Sequence, residues 1–167
     1  MREYRYHVDG EGRIFHEGSE IVDPAVLRFF LRAMRRAEGG AWLVVCQGEH
    51  NWFDVEDTPF VVQRVYLEVR EGVLQRVELG LAGGLREPLD LATLEADGDR
   101  LTCRIRGGPA RFGRVALQQL APFLDDDGTG PALTVAGIRY AIRGVPDRPP
   151  ERDPAPAPGA ASPRPRR

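Results

Sequence analysis

At 167 residues with 42% hydrophobic content, the chain has the length of one domain and enough apolar material for a real core. Its net charge of −2 argues against a general nucleic-acid binder, and because all 23 basic residues are arginine, lysine Schiff-base chemistry and a P-loop lysine are excluded. Two cysteines cannot build a disulfide framework, and with only Ser19 and Ser162 and no G-x-S-x-G a serine hydrolase is close to excluded.

Residues 3–17 predict a hairpin, with Tyr4, Tyr6 and Phe15 flanking the turn Asp9-Gly10-Glu11-Gly12. The N-terminal MREYRYHVDG is too polar for a signal peptide, and no apolar run reaches the length of a membrane span, so the expected setting is a reducing cytoplasm. Asp23-Pro24 predicts a helix start, since Asp caps free amides and Pro suits the first helical position. The helix is expected to run to about Glu38 and stop at Gly39-Gly40. Val26, Leu27, Phe30, Leu31, Met34 and Ala37 fill one face, and Arg28, Arg32, Arg35 and Arg36 the other. That arginine stripe fits an anion-binding or acidic-partner surface or, more simply, a solvated face, with Arg35 and Arg36 complementing the dipole at the helix end.

Trp42–Cys46 is an unbroken apolar run of strand length, expected as a central strand covered on both faces. Turn chemistry follows in Gln47-Gly48-Glu49-His50-Asn51. In the return strand Phe53 and Val55 alternate with Trp52, Asp54 and Glu56. Here Cys46, Glu49, Asn51, Glu56, Asp57, Pro59 and Val61 spell C-x-x-E-x-N-x-x-x-x-E-D-x-P-x-V. This core, with the aromatic opening Tyr4–Asp9, Gly12, Ile14 and Phe15 and the closing Gly137, Arg139 and Ala141, resembles an uncharacterised protein family found in bacteria and animals. Val55–Phe60 (V-E-D-x-P-F) and Cys103–Arg114, which includes A-R-F-x-R, resemble a bacterial domain of unknown function. Together the matches span most of residues 4–143; they imply a fold and domain limits, and no established activity.

After Pro59, Val61, Val65, Leu67 and Val69 alternate with Arg64, Tyr66, Glu68 and Arg70. A three-residue loop Glu71-Gly72-Val73 would pair Leu67 with Val77, Val65 with Leu79 and Glu68 with Arg76, satisfying both faces. Residues 82–98 give a weak pattern that ends in the turn Ala96-Asp97-Gly98-Asp99. Leu101, Cys103 and Ile105 then alternate with polar residues, placing Cys103 inward. A second helix is expected from about Phe112 to Ala121, before Pro122, and a final hairpin turns at Ala136-Gly137. Eight of the 14 prolines lie in Val145–Arg167, without an aromatic residue, so 144–167 is expected as a disordered Pro/Arg-rich tail behind a single domain of residues 1–143. The expected fold class is α+β: antiparallel hairpins with two main helices, loosely two-halved.

Two polar clusters are candidate sites. Around the central hairpin stand Glu49, His50, Asn51, Glu56 and Asp57, whose carboxylates fit structural turns, anion or partner recognition with arginine counter-charges, or a divalent cation. Zinc is poorly served, because Cys46 and His50 make one pair and His7 or His16 would have to complete it. Cys46–His50 is also a conceivable nucleophile pair, although Cys46 reads better as a small buried hydrophobe. The second cluster is Gly107–Arg114, read as a glycine loop entering a helix. Its amides and Arg104, Arg106, Arg111 and Arg114 suit a phosphate or carboxylate, or pair with Glu56 or Asp57. No motif implies a cofactor. The best reading is a non-catalytic binding or regulatory module for an anionic small molecule or a partner protein, with no membrane and nucleic acid disfavoured. The alternative is a divalent-metal-dependent enzyme using Glu56 and Asp57.

Overall fold

The first turn forms as the sequence predicts. β1 (Glu3–Val8) and β2 (Ile14–His16) pair antiparallel with Val8 opposite Ile14. Between them the Asp9 carboxylate accepts the amides of Glu11 (3.0 Å) and Arg13 (2.9 Å), fixing the turn by side-chain mimicry of a backbone acceptor. The structure, a computed structural model, describes residues 1–145; the expected tail over 144–167 lies outside this range beyond Val145.

After the short β3 (Ser19–Glu20), α1 (Pro24–Ala33) starts where Asp23 accepts from the amides of Ala25 and Val26. It buries Leu27, Phe30 and Leu31. The helix ends five residues earlier than Glu38, because Met34 turns extended and Arg35–Arg36 become β4, paired with Leu43 and Trp42. The arginine stripe is therefore split between a helix and a sheet edge, and Arg35 and Arg36 do not serve the helix dipole.

β5 (Trp42–Cys46) and β6 (Glu49–Val55) join through the two-residue turn Gln47-Gly48, both at positive φ. The turn is shorter than expected, so Glu49, His50 and Asn51 belong to the strand. The sheet order is β3-β2-β1-β6-β5-β4, which puts β5 next to the edge rather than at the centre and leaves Val45 37% exposed. β1 and β6 run parallel, an arrangement that hairpin signals do not reveal. Their inner face packs on α1, where Tyr6, Phe53 and Phe30 lie 5.0–5.2 Å apart by ring centroids.

β7 (Phe60–Val62) precedes the pair β8 (Arg64–Arg70) and β9 (Val73–Gly80). Leu67 faces Val77, Val65 faces Leu79 and Glu68 faces Arg76, as expected. The device differs: Val69 pairs with Leu74 and Arg70 with Val73, so the turn is the two residues Glu71-Gly72, and a bulge at Gln75 restores the favourable register. Residues 81–99 hold two single 3-10 turns and the strands β10 (Arg86–Pro88) and β11 (Glu95–Asp97). β12 (Arg100–Ile105) buries Leu101, Cys103 and Ile105.

Gly108–Phe112 is the strand β13, not a loop entering a helix, and α2 (Arg114–Leu120) starts two residues after Phe112. Ala110 and Phe112 point into the core while Arg111 points out. β14 (Leu124–Asp126), β15 (Pro131–Val135) and β16 (Ile138–Ala141) form a sheet whose last turn is Ala136-Gly137, as expected. β17 (Arg143–Gly144) adds to β11 in parallel, so the boundary drawn at residue 143 falls inside a strand. The five-stranded sheet has the order β17-β11-β12-β13-β7. The fold class is α+β, with two α-helices among the described residues and both mixed and antiparallel sheets.

Candidate functional site

The turn that leaves β6 carries the site's carboxylate. Glu56 N–H donates to Val8 O (3.0 Å), and the buried Thr58 hydroxyl donates to Phe60 O (2.6 Å), which holds Asp57 at the rim of the five-stranded sheet. On β12 and β13, Thr102 lies opposite Arg111, and Arg100 shares the outward phase of Thr102. Both arginines thus reach the same turn. Arg100 donates from Nη1 to Oδ2 of Asp57 (2.6 Å) and from Nη2 to Oδ1 (2.5 Å), while Arg111 Nε lies 3.0 Å from Oδ2. The three side chains keep 36%, 20% and 30% exposure for Arg100, Arg111 and Asp57. The Arg100 hydrogen bond, against an opposing burial effect and with added attraction from both guanidinium groups, holds the Asp57 carboxyl below its ordinary value.

This fork is tied to the first hairpin. Arg111 Nη2 donates to Gly10 O, and Gly10 N–H donates to Oε2 of Glu56 (2.7 Å). The other Glu56 oxygen lies 3.2 Å from His7 Nε2. Gly12, at φ +80, presses its backbone onto Val61 of β7, since a Cβ there would lie 2.7 Å from the Val61 Cβ. Glu56 and Asp57 therefore hold different partners although they adjoin in sequence.

Beside the fork opens a cleft of about 480 Å³, lined by Asp99, Arg100, Arg111, Phe112, Arg114, Leu117 and Gln118. Arg114 at the start of α2 is exposed, and among the described residues no carboxylate lies within salt-bridge reach of it. Arg100 lies outside the residues that the sequence marks as candidates. Continuing the Thr102/Arg104 alternation back by one step places it on the same outward face as Arg111, a signal that the turn at Gly98-Asp99 obscured.

No family model matches the chain, and no curated protein matches it. Solved structures do. A DUF1285 family protein from Silicibacter pomeroyi superposes with a TM-score of 0.63 at 17% identity, covering 84% of this chain and 82% of that one. A DUF1285 family protein from Shewanella baltica gives 0.57 at 13% identity, with 70% and 90% covered. The chain shares their fold. The DUF1285 likeness agrees in kind with the domain of unknown function that the sequence resembles.

On this DUF1285-like fold the remaining candidates scatter. Arg104 Nη1 donates to Gly107 O (3.0 Å) near the far end of the β12–β13 hairpin. Arg106 turns to Glu87 and to Leu31 O, with its guanidinium over the Phe60 ring. Glu49, His50 and Asn51 lie at the opposite end of β6, on the order of 20 Å from Glu56 at about 3.3 Å per strand residue. Asn51 is a core residue, buried and donating from Nδ2 to Val44 O (3.2 Å). The pleat also separates Cys46, which pairs with Glu49, from His50, which pairs with Val45 and shows its ring to Trp52. A Cys46–His50 nucleophile or ligand pair is thus ruled out by geometry.

Cys103 is buried, and that burial, helped by the charge of Asp90, pushes its thiol up to about 12. A thiol reagent at pH 8 is expected to modify Cys46, which is half-buried, and to spare Cys103 until the protein unfolds. Two thiols titrating rapidly in native buffer would contradict this burial of β12.

Proposed function

We propose that the chain is a non-catalytic binding module for an anionic group, carried by a small molecule or a partner protein, and that the cleft beside Asp57 receives it. One observation carries the reading: two arginines share a single carboxylate, and a third, Arg114, faces the same cleft. Asp57 neutralises one guanidinium charge and fixes both side chains in place, which leaves donors that need not be ordered when a ligand arrives. The loosely two-halved order suits this role, since the first half supplies Asp57 and the Gly10 carbonyl and the second half supplies Arg100 and Arg111.

The divalent-metal alternative draws less support. Glu56 is committed to Gly10 and His7, Asp57 to its arginines, and among the described residues no three His, Cys, Asp or Glu side chains converge. A single domain closing with β17 and a cytoplasmic setting complete the proposal; among the described residues no helix is long and apolar enough to cross a membrane. A thermal-shift panel of small acids, nucleotides and divalent metals tests it. Stabilisation by an anion without metal, lost in Arg111→Gln, is expected. Metal-dependent stabilisation lost in Glu56→Gln would replace the module with the enzyme.

A further inference from the structure

We infer that the ligand of this cleft is a small organic oxyanion, a phosphoryl or carboxylate head on an apolar body about the size of one ring. The inference rests on the anion-binding reading and narrows it to a ligand class. Head recognition follows from the donors that the fork leaves over. A guanidinium has five N–H donors. Arg100 spends its Nη1 and Nη2 positions on Asp57, which leaves the Nε side uncommitted among the described residues. Arg111 spends Nε on Asp57 and Nη2 on Gly10 O, which leaves Nη1. Three cations border the cleft against the carboxylates of Asp57 and Asp99, and Asp97 acts on Arg100 from the paired position on β11, so Arg114 is the cation there without a carboxylate in salt-bridge reach among the described residues. One such cation suits one anionic head and does not suit a polyanion.

The body follows from the cleft's size and apolar surface. A volume of about 480 Å³ lies within the range of small-ligand sites and far exceeds what an inorganic oxyanion fills. Its apolar surface is supplied by the half-buried Leu117 of α2, above the core-buried Phe112 of β13, and Gln118 adds one neutral polar group at the side. Asp57 is a positioning residue here, acting through the arginines it holds.

Isothermal titration of the full chain with phenyl phosphate, benzoate and inorganic phosphate tests the inference. Phenyl phosphate or benzoate is expected to bind at least tenfold more tightly than inorganic phosphate, and the better of the two identifies the head. Arg114→Gln should weaken every binding probe about tenfold without moving Tm, and Leu117→Ala should erase the organic advantage. The wild-type comparison decides alone if Leu117→Ala does not fold. Equal affinity for phenyl phosphate, benzoate and inorganic phosphate would overturn the inference and leave the anion-binding reading standing. Binding of none of the three, or binding indifferent to Arg114→Gln, would overturn both.

Discussion

Gly12→Ala is expected to destabilise the protein by about 2–5 kcal/mol, an effect built from two additive terms. Gly12 sits at φ +80, where an L side chain adds roughly 1–2 kcal/mol of backbone strain. The new methyl would also lie 2.7 Å from Val61 Cβ and 3.1 Å from Cγ2, and Val61 is a buried strand residue with no flexible end to move aside. Relief requires the β1–β2 turn to lift from β7, an overpacking penalty of about 1–3 kcal/mol. Lifting that turn also withdraws the Gly10 carbonyl from Arg111 and the Gly10 amide from Glu56, so the cleft should lose ligand affinity in parallel. Denaturant unfolding measures the first effect. Adding Val61→Gly should give a double variant less destabilised than the sum of its singles, because it removes both the Cβ and the Cγ2 contacts and leaves only the strain. A Gly12→Ala protein within about 0.5 kcal/mol of wild type, the usual scatter of neutral surface changes, would mean that the turn does not rest on β7.

How much of this arrangement the sequence discloses depends on the range of the interaction that sets each part. Local chemistry is legible: the Asp23-Pro24 helix start, the Asp9–Gly12 turn and the Ala136-Gly137 hairpin all follow from a few adjacent residues. Cross-strand register is legible where both faces vote, as Leu67 against Val77 shows, even though the bulge that delivers it is not. The parallel pairing of β1 with β6 is not legible, because no connecting turn announces it. Gly107–Arg114 misleads for a definite reason: glycine and Pro109 resemble a loop, yet β7 pairs only from Ala110 onward, which leaves Pro109 an open side where proline is tolerated in a strand. The alternation of Gly108, Ala110 and Phe112 toward the core is the strand signal in this segment. Asn51 shows the reverse error. Its phase with Phe53 and Val55 marks it as a core residue, whereas its polarity drew it into the candidate ligand set.

Asp57→Asn is expected to remove about 1–3 kcal/mol near neutral pH, the penalty of leaving hydrogen-bonded, partly buried charges without their partner. Partial exposure of all three side chains keeps the loss below the 3–5 kcal/mol or so of breaking a fully buried pair. The pH dependence gives the prediction its sign. The Asp57 carboxyl is held below its ordinary value, so the unfolded chain takes up this proton first on acidification. The contribution is fully present above the ordinary Asp value of about 3.9 and is lost as pH falls through it toward the lower folded value. Asp9 is lowered too, since its bonds to Arg13 and Glu11 outweigh the opposing effect of burial, but Asp9 is present in both proteins. Subtracting the variant's stability from that of the wild type therefore isolates Asp57: the difference should be flat from about pH 5 to 8 and shrink below about pH 4. A difference that stays constant into acid would show that the carboxylate does not hold the arginines. The double variant with Arg100→Gln completes the cycle, and an interaction energy of about 0.5–3 kcal/mol is expected for residues in direct contact. Coupling near zero would leave Asp57 a turn former and Arg100 a surface charge, and the cleft would lose the fixed fork on which its recognition of an anion depends.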